Sequence, residues 1–213
     1  MTISCGCMRT KNNSVTQAED PSANSRNSQD QDSRPVIVAF GDSLTAGAGV
    51  DPEQNYPSKL QKKIDRFGYR YKVVNAGISG ETSFQGLERL RSVCDLHPAI
   101  VIVEFGANDG LRGLPLDEME RNLKAIVNGI KASGAKPILA GMRVLPYLGL
   151  SYANSFTKVF EKVAEVQNIA LIPFFLEGVG GHPHLNQEDG KHPTEEGYAI
   201  IVDTVWKVLE PML

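Results

Sequence analysis

A chain of 213 residues with 41% apolar content can bury one good hydrophobic core, and a single folded domain is what that length favours. The net charge of −3 excludes the basic footprint of a nucleic-acid-binding protein, and no stretch approaches the roughly 20 apolar residues of a membrane-spanning helix. Cys5, Cys7 and Cys94 are too few and too oddly spaced for a disulfide framework or a four-ligand zinc site.

Residues 8–34 hold hardly any apolar side chains and many Ser, Asn, Gln and Asp, so burial cannot offset the entropy of ordering them. Residues 1–34 are therefore expected to form a disordered N-terminal tether, its few charges balanced, ahead of a folded domain over 35–213. Cys5 stands beside the tether like a lipoprotein attachment cysteine, but Met1-Thr2-Ile3-Ser4 is too short to direct export. Two readings follow. Either the sequence begins inside a longer signal, with Cys5 a lipid anchor and the domain periplasmic or membrane-tethered, or the cysteine is incidental and the domain cytoplasmic.

From Pro35 onward strand and helix patterns alternate. Val36-Ile37-Val38-Ala39-Phe40 predicts a buried strand, bounded by Pro35 and Gly41. Leu60, Ile64 and Phe67 recur at helical spacing, with Gly68 as the stop. Residues 71–75 predict a second strand ending at Ala76-Gly77, and Leu87, Leu90 and Val93 a second helix, in which Cys94 reads as a small buried hydrophobe. Residues 99–105 form a nearly unbroken apolar run of the kind buried on both faces. Asp117 is expected to cap a helix whose core stripe is Leu123, Ile126, Val127 and Ile130, closed by Gly134. Residues 137–142 predict a fourth strand, Phe156, Val159, Phe160 and Val163 a further helix, and residues 170–174 a fifth strand. Pro193 is placed in the first turn of a last helix carrying Tyr198, Ile201, Val202, Val205 and Leu209 inward. Strands separated by helices require right-handed crossovers and a parallel sheet covered on both faces, here in the doubly wound order 2-1-3-4-5.

In such sheets ligands bind beyond the carboxyl ends of the strands. Ser43 follows the first strand, Gly77 the second and Asn108 the third, while Asp189 and His192 follow the fifth and precede the last helix. Each alone has a bland explanation as a turn or cap residue. Chemistry explains them together. A serine hydroxyl becomes a competent nucleophile when a base removes its proton, and histidine suits that task at neutral pH. Asp189, three residues before His192, can hold the far ring nitrogen. The N–H groups of Ser43 and Gly77 and the side-chain amide of Asn108 can face the oxyanion of acyl transfer, with glycine at 77 letting bare backbone approach the substrate.

Gly41-Asp42-Ser43-Leu44, Gly77, Gly106-x-Asn108-Asp109 and Asp189-x-x-His192-Pro193 resemble, in order and separation, the four blocks of the GDSL or SGNH hydrolase family. Pro35 to Leu213 is further similar to its thioesterase I / lysophospholipase L1 / arylesterase branch, through Asn75-Ala76-Gly77-Ile78-Ser79-Gly80-Glu81-Thr82 and Leu171-Ile172-Pro173-Phe174-Phe175-Leu176. The resemblance implies a three-layer α/β/α, flavodoxin-like fold with a five-stranded parallel sheet. It implies Ser43 as nucleophile, His192 as base, Asp189 as its orienter, and an oxyanion hole of Ser43, Gly77 and Asn108. It also implies a hydrolase needing neither metal nor cofactor, acting on small-molecule esters, thioesters or lysophospholipids, and in bacteria often exported.

The apolar loop Val144 to Leu150, with Leu145, Pro146 and Tyr147, is the expected wall of an acyl site, and residues 178–185 an expected mobile loop beside His192. Three rival readings stand beside the esterase: a carbohydrate O-deacetylase on the same fold, a flavodoxin-like nucleotide-binding module, and a metal site from His182, His184 and His192. The glycine-rich stretch from Gly41 to Gly49 lacks the Lys-Ser/Thr ending of a phosphate loop, and Pro183 separates the first two histidines without a carboxylate at ligand spacing.

Overall fold

The computed structural model describes residues 1–2, 32–146 and 149–213. The expected tether, with Cys5 and Cys7, lies outside them for nearly all its length, as does Tyr147. Arg34–Leu213 form one compact unit.

The β-branched runs become five strands: Val36–Gly41 (β1), Lys72–Gly77 (β2), Ile100–Glu104 (β3), Lys136–Ala140 (β4) and Ala170–Ile172 (β5). All pair in parallel, in the order β2-β1-β3-β4-β5. The helices are Ser43–Ala46 (α1), Tyr56–Arg66 (α2), Ser83–Glu88 (α3), Leu90–Cys94 (α4), Ala107–Leu111 (α5), Leu116–Ala132 (α6), Leu150–Gln167 (α7) and Glu195–Leu209 (α8). The step from β1 to β2 runs one way across the sheet and the later steps run the other. Right-handed crossovers therefore put α2 on one face and α3 to α7 on the opposite one. Accordingly α2 packs against α8, and α6 against α3, α4 and α7. Ile37 to Phe40 and Ile100 to Val103 are buried throughout, which explains why these strands read as continuous apolar runs rather than alternating ones. Among the described residues no helix is long and apolar enough to cross a membrane.

The expected stripes of α6, α7 and α8 are buried, and Gly68 and Gly134 stand just past α2 and α6 in left-handed conformation. Four local expectations change. The single helix expected through Leu87 to Val93 is two, broken at Arg89, whose side chain is drawn to the sheet edge. Asp117 is not the cap of α6. Pro115 occupies that position, and Asp117 lies within the first turn, bonded to Arg121 at 2.6 Å, which lowers its pKa. Pro193 does not open α8. Thr194 caps it through Gly197 N–H, and Pro193 instead bridges to Asn186 as a short antiparallel pair. Cys94 is half-buried, its Sγ 3.9 Å from the Gly129 carbonyl across the α4–α6 contact.

Candidate active site

The carboxyl end of β1 runs into the tightest turn of the molecule. Asp42 caps α1, its Oδ1 accepting from Leu44 N–H at 3.0 Å, and Ser43 is the first residue of that helix. The Ser43 N–H therefore belongs to the opening turn, where a helix supplies no internal acceptor. A Cβ at Gly41 would meet Thr45 Oγ1 at 2.2 Å and the Glu104 carbonyl at 2.5 Å, so only glycine lets the turn sit against β3.

His192 reaches this turn from the segment before α8. Its Nε2 lies 2.8 Å from Ser43 Oγ, and its Nδ1 2.5 Å from Asp189 Oδ2. Asp189 Oδ1 also accepts the N–H groups of Lys191 at 2.9 Å and His192 at 3.1 Å. Those donors, that of Lys191 foremost, hold the carboxyl down at about 2. Asp189 is therefore an anion at any working pH and accepts Nδ1–H, leaving Nε2 free to accept from the serine hydroxyl. Gln187 joins the two segments. Its Nε2 donates to Ala48 O at 2.8 Å and Pro193 O at 2.9 Å, pinning the histidine segment to the serine turn. A hydroxyl against one imidazole nitrogen with a carboxylate against the other is the geometry that activates serine for attack.

Ser43, Asp189 and His192 thus meet as the sequence predicts. Gly77 and Asn108 lie on the same rim with their donors already engaged. Gly77 N–H donates to Asn75 Oδ1 at 2.9 Å. Asn108 Nδ2 donates to Asp42 Oδ2 at 3.0 Å and to Glu81 O at 2.9 Å. The reason for glycine at 77 also differs from the expected one. A Cβ there would stand 2.2 Å from Ala46 N, so it is the backbone of α1, not a substrate, that takes the space. Asn108 is set by its neighbour. Asp109, buried, accepts Ser83 N–H at 2.9 Å and Ser83 Oγ–H at 2.6 Å, which locks α5 to α3.

Residues not singled out from the sequence support this rim. Arg89, at the α3–α4 break, donates to Glu81 Oε2 at 2.7 Å, Ala76 O at 2.9 Å and Gly41 O at 3.2 Å, with its guanidinium 4.6 Å above the Phe40 ring. It clips together the ends of β1 and β2. Glu104 closes β3 fully buried beneath Ser43, accepting from Thr45 Oγ1 at 2.8 Å. The signal in the sequence is one carboxylate ending an otherwise apolar run, Ile100-Val101-Ile102-Val103-Glu104.

After β4 the chain passes beside α5. A Cβ on Gly110 would come within 2.5 Å of Val144 Cγ1. Leu145 is 76% exposed and Pro146 is exposed, while Tyr147 lies outside the described residues. Among the described residues, Ile78, Phe84, Leu111 and Leu150 are further large apolar side chains that stand exposed. The 178–185 segment is tied by Asn186 Nδ2, which donates to Val179 O at 2.7 Å and His182 O at 2.9 Å. His182 and His184 stand with ring centroids 6.0 Å apart, and no group of three metal-ligating side chains occurs among the described residues.

Comparison with known proteins gives the same picture from outside. The GDSL-like Lipase/Acylhydrolase family model matches residues 39–200. Esterase TesA of Pseudomonas aeruginosa is 41% identical over 179 residues, 84% of this chain and 89% of that one. Thioesterase 1/protease 1/lysophospholipase L1 of Escherichia coli is 37% identical over 179 residues, covering 84% and 85%. The crystal structure of the psychrotrophic esterase EstA from a Pseudoalteromonas species, inhibited by monoethylphosphonate, superposes with a TM-score of 0.80 at 34% identity, covering 83% of this chain and 97% of that one.

Proposed function

Because the chain belongs to the GDSL-like lipase/acylhydrolase family and is an ester-hydrolysing serine hydrolase, we propose that Ser43 is its nucleophile, His192 its general base and Asp189 the group that orients His192. The observation that carries this reading is the unbroken chain from Ser43 Oγ through both nitrogens of His192 to Asp189. Ser43 Oγ attacks the acyl carbon while Nε2 takes its proton. The oxyanion forms against Ser43 N–H, with Gly77 N–H leaving Asn75 Oδ1 and the Asn108 amide leaving Glu81 O to meet it. These bonds strengthen as charge develops, so they act on the transition state more than on the bound substrate. The tetrahedral adduct collapses, the leaving alcohol or thiol takes the proton from Nε2, and an acyl ester of Ser43 remains. Water, deprotonated by His192, then releases the acid and restores the serine.

The substrate is a carboxylic ester with an aryl or alkyl leaving group, and by likeness to the Escherichia coli relative an acyl thioester or lysophospholipid. Leu145 and Pro146 line the acyl side in this reading, beside Ile78 and Leu111. A fluorophosphonate probe tests the nucleophile directly, as it captures an activated serine in a stable adduct. Mass spectrometry is expected to locate the adduct on Ser43. Ser43→Ala should lose the adduct and, since removing a triad member typically costs about 10⁴-fold or more, nearly all turnover of a p-nitrophenyl ester. Labelling at another residue, or activity retained by Ser43→Ala, overturns the assignment. A series of aryl esters and acyl thioesters of rising chain length fixes the acyl preference. Acetylated sugars in the same series would, if turned over fastest, favour the deacetylase reading.

A further inference from the structure

Beneath the serine turn lie two carboxyl groups with no cation between them. Asp42 and Glu104 are both fully buried. Asp42 uses both oxygens, Oδ1 for Leu44 N–H and Oδ2 for the Asn108 amide. Glu104 Oε2 accepts from Thr45 Oγ1 and, at 3.4 Å, faces Asp42 N–H, whereas Oε1 is buried and meets no donor among the described residues. A carboxylate oxygen deprived of donors away from water is costly. A carboxylic acid avoids that cost if its proton finds an acceptor, and the adjoining Asp42 carboxyl is one. Two carboxyls confined together cannot readily both ionise, so one retains a proton. Their other neighbours do not alter the count. Tyr56 from α2 and Tyr198 from α8 are buried hydroxyls kept neutral by burial and by the two carboxyls. His192 faces Asp42 from the segment before α8, and Arg89 is engaged with Glu81, Ala76 O and Gly41 O. Burial raises both carboxyls, while Leu44 N–H and the Asn108 amide lower Asp42.

We infer that Glu104 stays a neutral carboxylic acid at neutral pH and donates its proton to the Asp42 carboxylate, making it a positioning residue for the turn that carries Ser43 and for the amide of Asn108. The inference rests on the roles proposed above for those two residues. One hydrogen bond from Glu104 fixes Asp42, and Asp42 in turn fixes one donor on each side of the reacting oxygen.

The test combines infrared spectroscopy with two substitutions in the full chain. At pH 7 the wild type should show the C=O band of a protonated carboxylic acid. That band should shift when glutamate is labelled at its side-chain carboxyl carbon with the heavy isotope, and should be missing from Glu104→Gln. A band that is absent, or insensitive to the glutamate label, overturns the inference whatever the variants do. Gln offers the same acceptor to Thr45 and a fixed donor to Asp42, so Glu104→Gln should keep kcat within about threefold of wild type. Glu104→Leu has no donor, and should lower kcat about tenfold to a hundredfold with KM little changed, part of the cost of one lost oxyanion donor. Equal losses in both variants also overturn it. Failure of the Ser43 assignment would be told apart, because the adduct would then fall elsewhere while the infrared band stood unchanged.

Discussion

Asp42 holds Leu44 N–H with one oxygen and the Asn108 amide with the other, and it does so out of contact with water. Burial pushes its pKa up to about 6. The sign of the consequence follows from linkage. Between about pH 4 and 6 the folded state binds this proton more tightly than the unfolded chain, so the group's contribution to stability falls as pH rises through that window. At pH 7 the ionised form costs on the order of 3 kcal/mol, more than the roughly 1 kcal/mol of one hydrogen bond. Asp42→Asn removes the charge but leaves one acceptor oxygen for Leu44 N–H, the Asn108 amide and the Glu104 proton. It should therefore have a higher Tm than wild type at pH 7 and a slightly lower one at pH 4, while kcat falls because Asn108 loses its hold. Calorimetric scans at the two pH values check the crossover. Ser43, Asp189 and His192 stood out because each follows a strand in a stretch of telling composition, with Asp189 and His192 three positions apart. Glu104 and Arg89 were not, since the partners that give them meaning, Asp42 and Gly41, stand 62 and 48 residues away in the chain.

The break between α3 and α4 shows a single side chain setting the course of an element. Arg89 and Glu81 are paired with 19% and 12% of their side chains exposed, and the guanidinium also takes the Gly41 carbonyl that ends β1 and the Ala76 carbonyl one residue before the end of β2. A continuous helix through Leu87 to Val93 is what apolar spacing alone predicts, because periodicity records which residues face the core and not which donor the strand ends need. Asp117 and Pro193 were misplaced for a related reason: each is a good terminal residue, and a neighbour one or two positions away took the cap. Arg89→Met would strand a half-buried carboxylate and two carbonyls, and should lower stability by about 2 kcal/mol. Glu81 would lose its anchor, and with it the carbonyl that holds Asn108, so kcat should drop more than KM rises. Arg89→Lys keeps the charge without the planar fork and should recover only part of either loss. Denaturant melts and steady-state kinetics on both variants check this, and unchanged kcat in Arg89→Met would separate the clip from the site.

At the level of the whole chain, alternating patterns and right-handed crossovers called for a parallel sheet covered on both faces, and the order β2-β1-β3-β4-β5 came from its being the common five-strand doubly wound solution. What patterns could not provide was the fit between layers, such as glycine at 77 answering to Ala46 across the turn. All residues of the proposed machinery lie between Asp42 and His192, within the compact unit that begins at Arg34. Arg34 itself donates to Tyr71 O at 3.3 Å and pairs with Asp65. A chain begun at Arg34 should accordingly keep kcat/KM within about twofold of the full-length protein, with an unchanged Tm. A large loss in either measurement would show that the preceding residues contribute to the enzyme.

The contact of Ala46 with Gly77 bears on how this enzyme can diversify. Main chain abuts main chain at Gly77, so a side chain in its place has no room, and mutational libraries aimed at that position would return mostly inactive clones. The opposite flank, where the chain after β4 passes beside α5, carries the exposed side chains of Arg143, Leu145 and Pro146. Directed evolution toward longer or bulkier acyl groups is therefore best aimed at that loop, and natural variants of differing appetite should differ in its length and composition while Gly77 stays fixed.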